Sequence, residues 1–281
     1  MLVNMNEILL DAQKNKYAVG LFNTTDSDAI EGAIAAAEEL RSPIILGTAE
    51  VLLYYGDLQL IGPSMINMAK RASVPVAIHF DHGLTYERCI EALKLGFSSV
   101  MYDCSTDSYE DNVKKLAEMV KIAHAHGATV EGELGHVGDN PDSAEGDSTL
   151  DDPSKYYTDP STAKDFAERT GIDALAIAIG TAHGTYKQKP RLDIERLKEI
   201  RNALDTPLVL HGGSGLTDVD LKECINNGIT KINIFTDIYT AAKEAIKDNT
   251  PGYPEIRMKK VAAIKEVVKE KILLFGSNGR A

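Results

Sequence analysis

Eight short apolar runs recur along this chain, at 18–23, 43–47, 76–81, 99–103, 129–134, 174–179, 208–211 and 231–235. Between them lie segments with apolar residues at three- and four-residue intervals, such as 28–40, 86–95, 109–126, 162–170, 193–203 and 218–227. That spacing buries one helix face, whereas the short runs have the length of buried strands. Strict alternation of strand and helix makes the strands parallel, because each helix carries the chain back to the end from which the strand began. Gly96, Gly127, Gly171 and Gly228 each stand between a helical run and the next strand, where a helix end needs a residue that tolerates positive φ. Eight such units in 281 residues predict an α/β fold, a (β/α)8 TIM barrel filling 1–281 as a single domain. The segment 253–271 reads as an extra C-terminal helix beyond the eighth unit.

The longest irregular stretch, 135–160, is rich in Gly, Asp, Ser and Pro and follows the fifth strand. It is expected to be an active-site loop, since barrel enzymes build their sites on the loops that follow strands. No apolar run approaches membrane-spanning length, and Met1-Leu-Val-Asn-Met-Asn-Glu7 has neither a basic nor an apolar leader segment. A cytoplasmic protein with no membrane partner is the expectation. Cys89, Cys104 and Cys224 are odd in number and widely spaced, which fits reduced thiols. The net charge of −12, from 30 basic and 42 acidic residues, argues against nonspecific nucleic-acid binding. It leaves room for a small phosphorylated molecule, provided that backbone amides, a metal and one or two cations make the pocket locally positive.

The chemistry gathers at the strand ends. His82, His183 and His211 fall just after the third, sixth and seventh runs. A shared barrel rim would bring these imidazoles together, and three histidines with a fourth position open are the donor set of a catalytic metal. Asp81, beside His82, reads either as a carboxylate orienting an imidazole or as a general base. His79, inside the run, reads as a hydrogen-bonded structural residue, and His124 and His126 as cap residues of a long helix. Period two places Glu131 and Glu133 on one face, and burying two unpaired acids is costly, so each is expected to meet a cation, a metal or water. Glu131 reads equally well as half of a core salt bridge. Glu133, nearer the rim, and Asp103, closing the fourth run, are candidate metal contacts. Segments His211-Gly-Gly-Ser-Gly215 and Asn233-Ile-Phe-Thr236-Asp237 follow the seventh and eighth runs, where barrel enzymes commonly seat a phosphate on loop amides and a helix N-terminus.

Taken together, Asp81-His82-Gly83, Glu131-Gly-Glu133-Leu-Gly, Gly180-Thr-Ala-His183-Gly, Leu210-His211-Gly-Gly-Ser-Gly215 and Lys231-Ile-Asn233 closely resemble the class II, zinc-dependent fructose- and tagatose-bisphosphate aldolases. The resemblance spans nearly the whole chain, with the motifs in family order and spacing. It implies a lyase of carbohydrate metabolism and glycolysis that reversibly cleaves a ketose 1-phosphate or 1,6-bisphosphate to dihydroxyacetone phosphate and an aldehyde, through a zinc-stabilised enediolate. By the same resemblance His82, His183 and His211 match the Zn2+ ligands, and Asp81 the acid/base at the C4 hydroxyl. Gly184, Gly212, Ser214, Asn233 and Thr236 match the phosphate-holding residues, Asn23 a polar residue near the substrate, and Lys187 a cation for the distal phosphate. A homodimer or homotetramer is implied, and a monovalent cation, Na+ or K+, beside the phosphate. A three-histidine site also accepts Co2+ or Mn2+.

Two stretches depart from the family pattern. After Glu133-Leu-Gly the family continues with a glycine pair and an acid, whereas this chain reads His136-Val-Gly138-Asp139-Asn-Pro-Asp142-Ser-Ala-Glu145. Glu145 is the choice for the loop acid over Asp142 and Asp139. Leu46-Gly-Thr-Ala-Glu50 replaces a serine-containing stretch that contacts substrate. Both changes bear on the distal half of the substrate, and they keep open an aldolase for a sugar-acid or other ketose monophosphate. From other classes, a non-catalytic sugar-phosphate-binding protein would not need Asp81 with three metal ligands, and a metal hydrolase would carry an HxH pair where this chain has Phe22-Asn23-Thr24. A Schiff-base aldolase would need a lysine inside the barrel. The sixth run has none, and Lys231 is expected at the wrong end of the eighth.

Overall fold

The architecture comes from a computed structural model, which describes residues 1–138, 156–184, 186, 190–247 and 252–281. In chain order the elements are α1 (Met5–Asn15), β1 (Val19–Asn23), α2 (Ser27–Leu40), β2 (Ile44–Ala49), α3 (Leu58–Arg71), β3 (Val76–Gly83), α4 (Tyr86–Leu95), β4 (Ser99–Tyr102), α5 (Tyr109–Ala125) and β5 (Thr129–Leu134). They continue with α6 (Pro160–Thr170), β6 (Ala174–Ile177), α7 (Ile194–Ala203), β7 (Leu208–Leu210), α8 (Asp218–Asn226), β8 (Ile229–Ile234), α9 (Thr236–Ala245) and α10 (Tyr253–Phe275). The strands close into one barrel in sequence order, and every neighbouring pair is parallel, including β1 with β8. The expected (β/α)8 barrel and its C-terminal helix are therefore present. No described helix is long and apolar enough to cross a membrane.

Period two divides each strand between two environments. Ile44, Leu46, Ile78, Phe80, Leu175, Ile177, Leu208 and Leu210 face the surrounding helices and form the larger core. Their neighbours Ile45, Ala77, Ala174, Ala176 and Val209 point inward, where they pack with Met5, Ile8, Leu9 and Ala12 of α1. Helix α1 lies outside the expected units. It begins with a reciprocal cap in which Asn4 accepts from the Glu7 amide and Glu7 accepts from the Asn4 amide, and its buried stripe plugs the lower mouth of the barrel. The inward positions change character going up the strands: Ala77 gives way to His79 and Asp81, and Val209 to His211. A sealed apolar floor thus carries a polar upper layer.

Helix α10 buries Ile264, Val268, Ile272 and Phe275 along one stripe, and the Phe275 carbonyl accepts from the Ala18 amide at 3.1 Å, tying the end of the chain to β1. Its charged flank meets α2: Arg257 Nε lies 3.0 Å from Asp28 Oδ1, and Lys265 and Lys269 lie 2.6 and 2.7 Å from the two oxygens of Glu39. Helix α2 can approach closely because Gly32 has no side chain. A Cβ there would stand 2.9 Å from the Val261 carbonyl oxygen and 3.0 Å from Ile264 Cγ2. Gly32→Val is expected to force these helices apart and cost about 2 kcal/mol, read as a lower urea midpoint with an unchanged m-value. An unchanged midpoint would show that the helix pair tolerates the wider spacing.

Candidate active site

The upper layer of the barrel is built around buried charge. Asp81, Glu131, Glu133 and Lys231 are all at most 1% exposed, and such groups persist only when paired and hydrogen-bonded. Lys231 Nζ lies 2.9 Å from Glu131 Oε2 and donates to Asn233 Oδ1 at 2.7 Å. That second bond fixes the Asn233 amide, so its Nδ2 faces Asp81 and donates to Oδ1 and Oδ2 at 3.2 and 3.1 Å. Asn23 Nδ2 donates to Asp81 Oδ2 from the other side at 2.8 Å. Burial alone would raise the Asp81 pKa, but His82, His79, Lys231 and His211 together hold it well below the usual carboxylate range. Asp81 is ionised at neutral pH and aimed by two amides. Lys231 corrects the sequence expectation: it sits inside the barrel beneath the site, with its charge committed to Glu131.

Above this layer the three histidines converge. His82, His183 and His211 each present a ring nitrogen within 4.8 Å of the others, with ring centroids 4.5 Å apart for His82 and His211 and 4.8 Å for His82 and His183. His82 Nδ1 is hydrogen-bonded to Asp103 Oδ2 at 2.8 Å and His211 Nε2 to Glu131 Oε1 at 2.9 Å. Each carboxylate fixes its ring and directs the opposite nitrogen toward the shared centre. Those opposite atoms, His82 Nε2 and His211 Nδ1, are buried and make no hydrogen bond, and Glu133 Oε2 faces His211 Nδ1 at 3.3 Å without hydrogen-bond geometry. Burial opposes protonation of His82, but Asp81, Asp103 and Glu133 outweigh it and raise its pKa to about 10. His211 is also raised, by Glu131, Glu133 and Asp81 against burial and the neighbouring His82. The position therefore favours positive charge, and buried imidazole nitrogens directed at one point fit a divalent cation. Asp103 and Glu133, expected as metal contacts, form a second cluster of possible donors with His82. In the geometry present, Asp103 acts as the orienting partner of His82.

His82 itself is held at φ 40, a left-handed conformation that costs a non-glycine residue about 1–3 kcal/mol. The register between β3 and β4 shifts between Phe80 and Gly83 at the same place. This kink turns the imidazole into the centre when simple alternation would send it away from Asp81. Gly83 then has to be glycine, because a Cβ there would stand 2.4 Å from Cys89 Sγ and 2.8 Å from the Met101 carbonyl oxygen. His79 is as expected a buried structural residue, with Nδ1 2.7 Å from Ser99 Oγ.

A cavity of about 350 Å³ opens over this centre, and its lining includes Asn23, Asp81, His82, Asp103, His183, Gly184, Gly212, Ser214, Asn233 and Thr236. Of the described residues expected at the site, all but His211 and Glu133 reach the cavity. His211 and Glu133 lie beneath it, fully buried, whereas Glu145 and Lys187 fall outside the described residues, as do Asp139 and Asp142. At one end Ser214 Oγ accepts from the Phe235 amide at 3.1 Å and the Asp237 amide at 3.4 Å, seating the β7 loop on the first turn of α9. The N-cap residue itself, Phe235, supplies no side-chain cap, and the N-terminus of α9 borders the cavity together with Gly184 and Gly212. The opposite wall is apolar, formed by Ala49, Val51, Leu84 and Val137. His136 also lines the cavity, with Nδ1 3.0 Å from Ser105 Oγ. Its proximity was not evident in sequence, where His136 was only a departure from a motif.

A parallel barrel with a histidine triad, an ionised carboxylate and a helix N-terminus at its upper rim is the architecture of a metal-assisted enzyme acting on small anions. The family described as Fructose-bisphosphate aldolase class-II matches residues 3–280. YdjI of Escherichia coli K12 is 40% identical over 273 residues, 96% of each chain, and its aldolase crystal structure superposes over 100% of both chains with a TM-score of 0.89. The fructose-bisphosphate aldolase of Geobacillus stearothermophilus is 39% identical over 293 residues, 100% of this chain and 99% of that one. The chain belongs to the class II fructose-bisphosphate aldolase family. It is an aldolase, a carbon–carbon lyase, of a generally metal-dependent family.

Lys231→Met is expected to lower the unfolding free energy of the metal-free protein by about 3–5 kcal/mol, because it strands Glu131 without its cation. Combining it with Glu131→Gln should recover part of that loss, measured by denaturant titration of both single variants and the double. Strictly additive losses would show that the two side chains are energetically independent.

Proposed function

We propose that the protein reversibly cleaves the C3–C4 bond of a ketose 1-phosphate or 1,6-bisphosphate of the fructose or tagatose type, giving dihydroxyacetone phosphate and an aldehyde. The observation that carries this reading is Asp81, an ionised carboxylate held by the amides of Asn23 and Asn233 on the residue next to one of three convergent histidines. His82, His183 and His211 would hold the divalent cation, Zn2+ foremost, with Glu133 as a further contact. When bound, the cation supplies Lewis acidity toward the ketone and neighbouring hydroxyl oxygens.

The chain's own residues supply the rest. Gly184, Gly212, Ser214 and Thr236, at the α9 end of the cavity, bind the 1-phosphate through backbone amides and hydroxyls. This anchor sets the ketose carbons across the histidine centre, with C4 toward Asp81. Asp81 accepts the C4 hydroxyl proton; the C4–O pair closes to the aldehyde carbonyl as the C3–C4 pair stays on C3. A proton then returns to C3 from an acid of the segment beyond Gly138, for which Glu145 is the proposed residue. Addition of dihydroxyacetone phosphate to the aldehyde is the same sequence reversed.

The distal end of the substrate meets the wall of Ala49, Val51, Leu84 and Val137, and among the described lining residues there is no Lys or Arg. A neutral distal end, as in a ketose 1-phosphate, fits that wall directly, and Lys187 is the proposed cation for a distal phosphate or sugar-acid carboxylate. The same reading includes one barrel domain over 1–281, a cytoplasmic homodimer or homotetramer, and a monovalent cation beside the phosphate.

Purified protein incubated with a panel of ketose 1-phosphates and 1,6-bisphosphates is expected to release dihydroxyacetone phosphate, to stop after chelation and to resume with Zn2+. Absence of release from every substrate, with metal retained, would overturn the reaction. Asp81→Ala should lower kcat by on the order of 10²–10⁴-fold while metal content stays constant. Turnover at the wild-type rate would remove Asp81 from the proton transfer.

A further inference from the structure

Two of the three metal histidines are carried by different loops, His183 after β6 and His211 after β7. Each ligand is followed by a glycine, Gly184 or Gly212, and neither lies within its strand. A tyrosine that no motif singled out connects them. Tyr186 Oη accepts from the amide of Ala182, immediately before His183, at 2.9 Å. The same Oη donates to the carbonyl of Gly212, immediately after His211, at 2.8 Å. Burial pushes the Tyr186 pKa up to about 12, so the hydroxyl keeps the proton it donates. Space around the bridge is limited: a Cβ on Gly212, which is at φ 65, would stand 2.4 Å from the Ala182 carbonyl oxygen and 3.1 Å from Tyr186 Oη. A Cβ on Gly215 would stand 3.4 Å from Tyr186 Cδ2. The ring thus packs along the β7 loop while its hydroxyl spans the two backbones.

We propose that Tyr186 is a positioning residue whose hydroxyl fixes the separation of His183 and His211, and thereby sets the affinity and geometry of the metal site. Tyr186 does not line the cavity, so it acts through the two loops and not on substrate. The inference rests on the reading of His82, His183 and His211 as metal ligands. Its physical basis is that an interaction behind a metal ligand holds the ligand in register, and losing one typically lowers metal affinity by about 10–100-fold.

Tyr186→Phe isolates the hydroxyl, since the ring and its packing remain. Co2+ is the probe, because its absorption reports the ligand field, and competition with a chromophoric chelator gives the dissociation constant. Tyr186→Phe is expected to raise that constant by about 10–100-fold, to shift or weaken the visible Co2+ bands, and to reduce the Tm gain on adding Co2+. The Tm of the metal-free protein should change much less, which a merely structural role would not produce. Equal affinity and superimposable Co2+ spectra in Tyr186→Phe and wild type would overturn the inference while leaving the metal site intact. His82→Ala serves as the control: if it binds Co2+ as wild type does, the three-histidine reading fails, and the Tyr186 inference with it.

Discussion

The ion pair between Lys231 and Glu131 is the interaction on which the upper half of the barrel depends. Asp81, Glu131 and Glu133 are three carboxylates at most 1% exposed, and among the described residues Lys231 is the only lysine or arginine buried with them. Its ammonium lies against both oxygens of Glu131 and turns the Asn233 amide toward Asp81, while Glu131 Oε1, which accepts from Lys231, also orients His211. One buried cation therefore sets the direction of the proposed proton acceptor and of a proposed metal ligand. Negative charge remains in excess, and this is why the His82 and His211 pKa values are raised. A divalent cation at the histidine centre meets the same electrostatic demand without needing protons there.

The barrel tolerates this polar layer because its lower half does not share it. Helix α1 closes the floor with Met5, Ile8, Leu9 and Ala12, so the apolar contacts that stabilise the closed sheet lie below the charges. Above the floor, each strand end is free to carry a polar side chain whose partners come from other strands. The separation explains how Asp81 on β3, Glu131 on β5 and Lys231 on β8 can be far apart in sequence yet in contact or one residue apart in space. It also explains why the irregular features collect at the rim, in the His82 backbone and in the loops joined by Tyr186.

Much of this was legible before the structure. The eight apolar runs match the eight strands to within about two residues at most ends, because period-two burial and the helical stripes between leave few alternatives. His82, His183, His211 and Asp81 could be picked out because strand-end positions of a barrel converge. Less visible were α1, which lies before the first repeat, and Lys231. Its place near the start of the eighth run points to the lower end of the barrel, yet the Lys231 ammonium is buried against Glu131. Tyr186 carried no signal, since its role consists of two bonds to backbone atoms of other residues. His136 was visible only as a mismatch to a motif.

The sequence by itself determined the architecture and the inventory of reactive groups: alternating patterns specify parallel units, and histidines and acids at their ends specify where chemistry can occur. Tertiary structure alone decided which nitrogen of each imidazole points inward, which carboxylates orient and which are oriented, and how the Asp81 charge is held. Those outcomes depend on distances of about 3 Å between residues from different strands. No pattern along the chain encodes such distances, because they arise only when the barrel closes and each buried charge must find its partner.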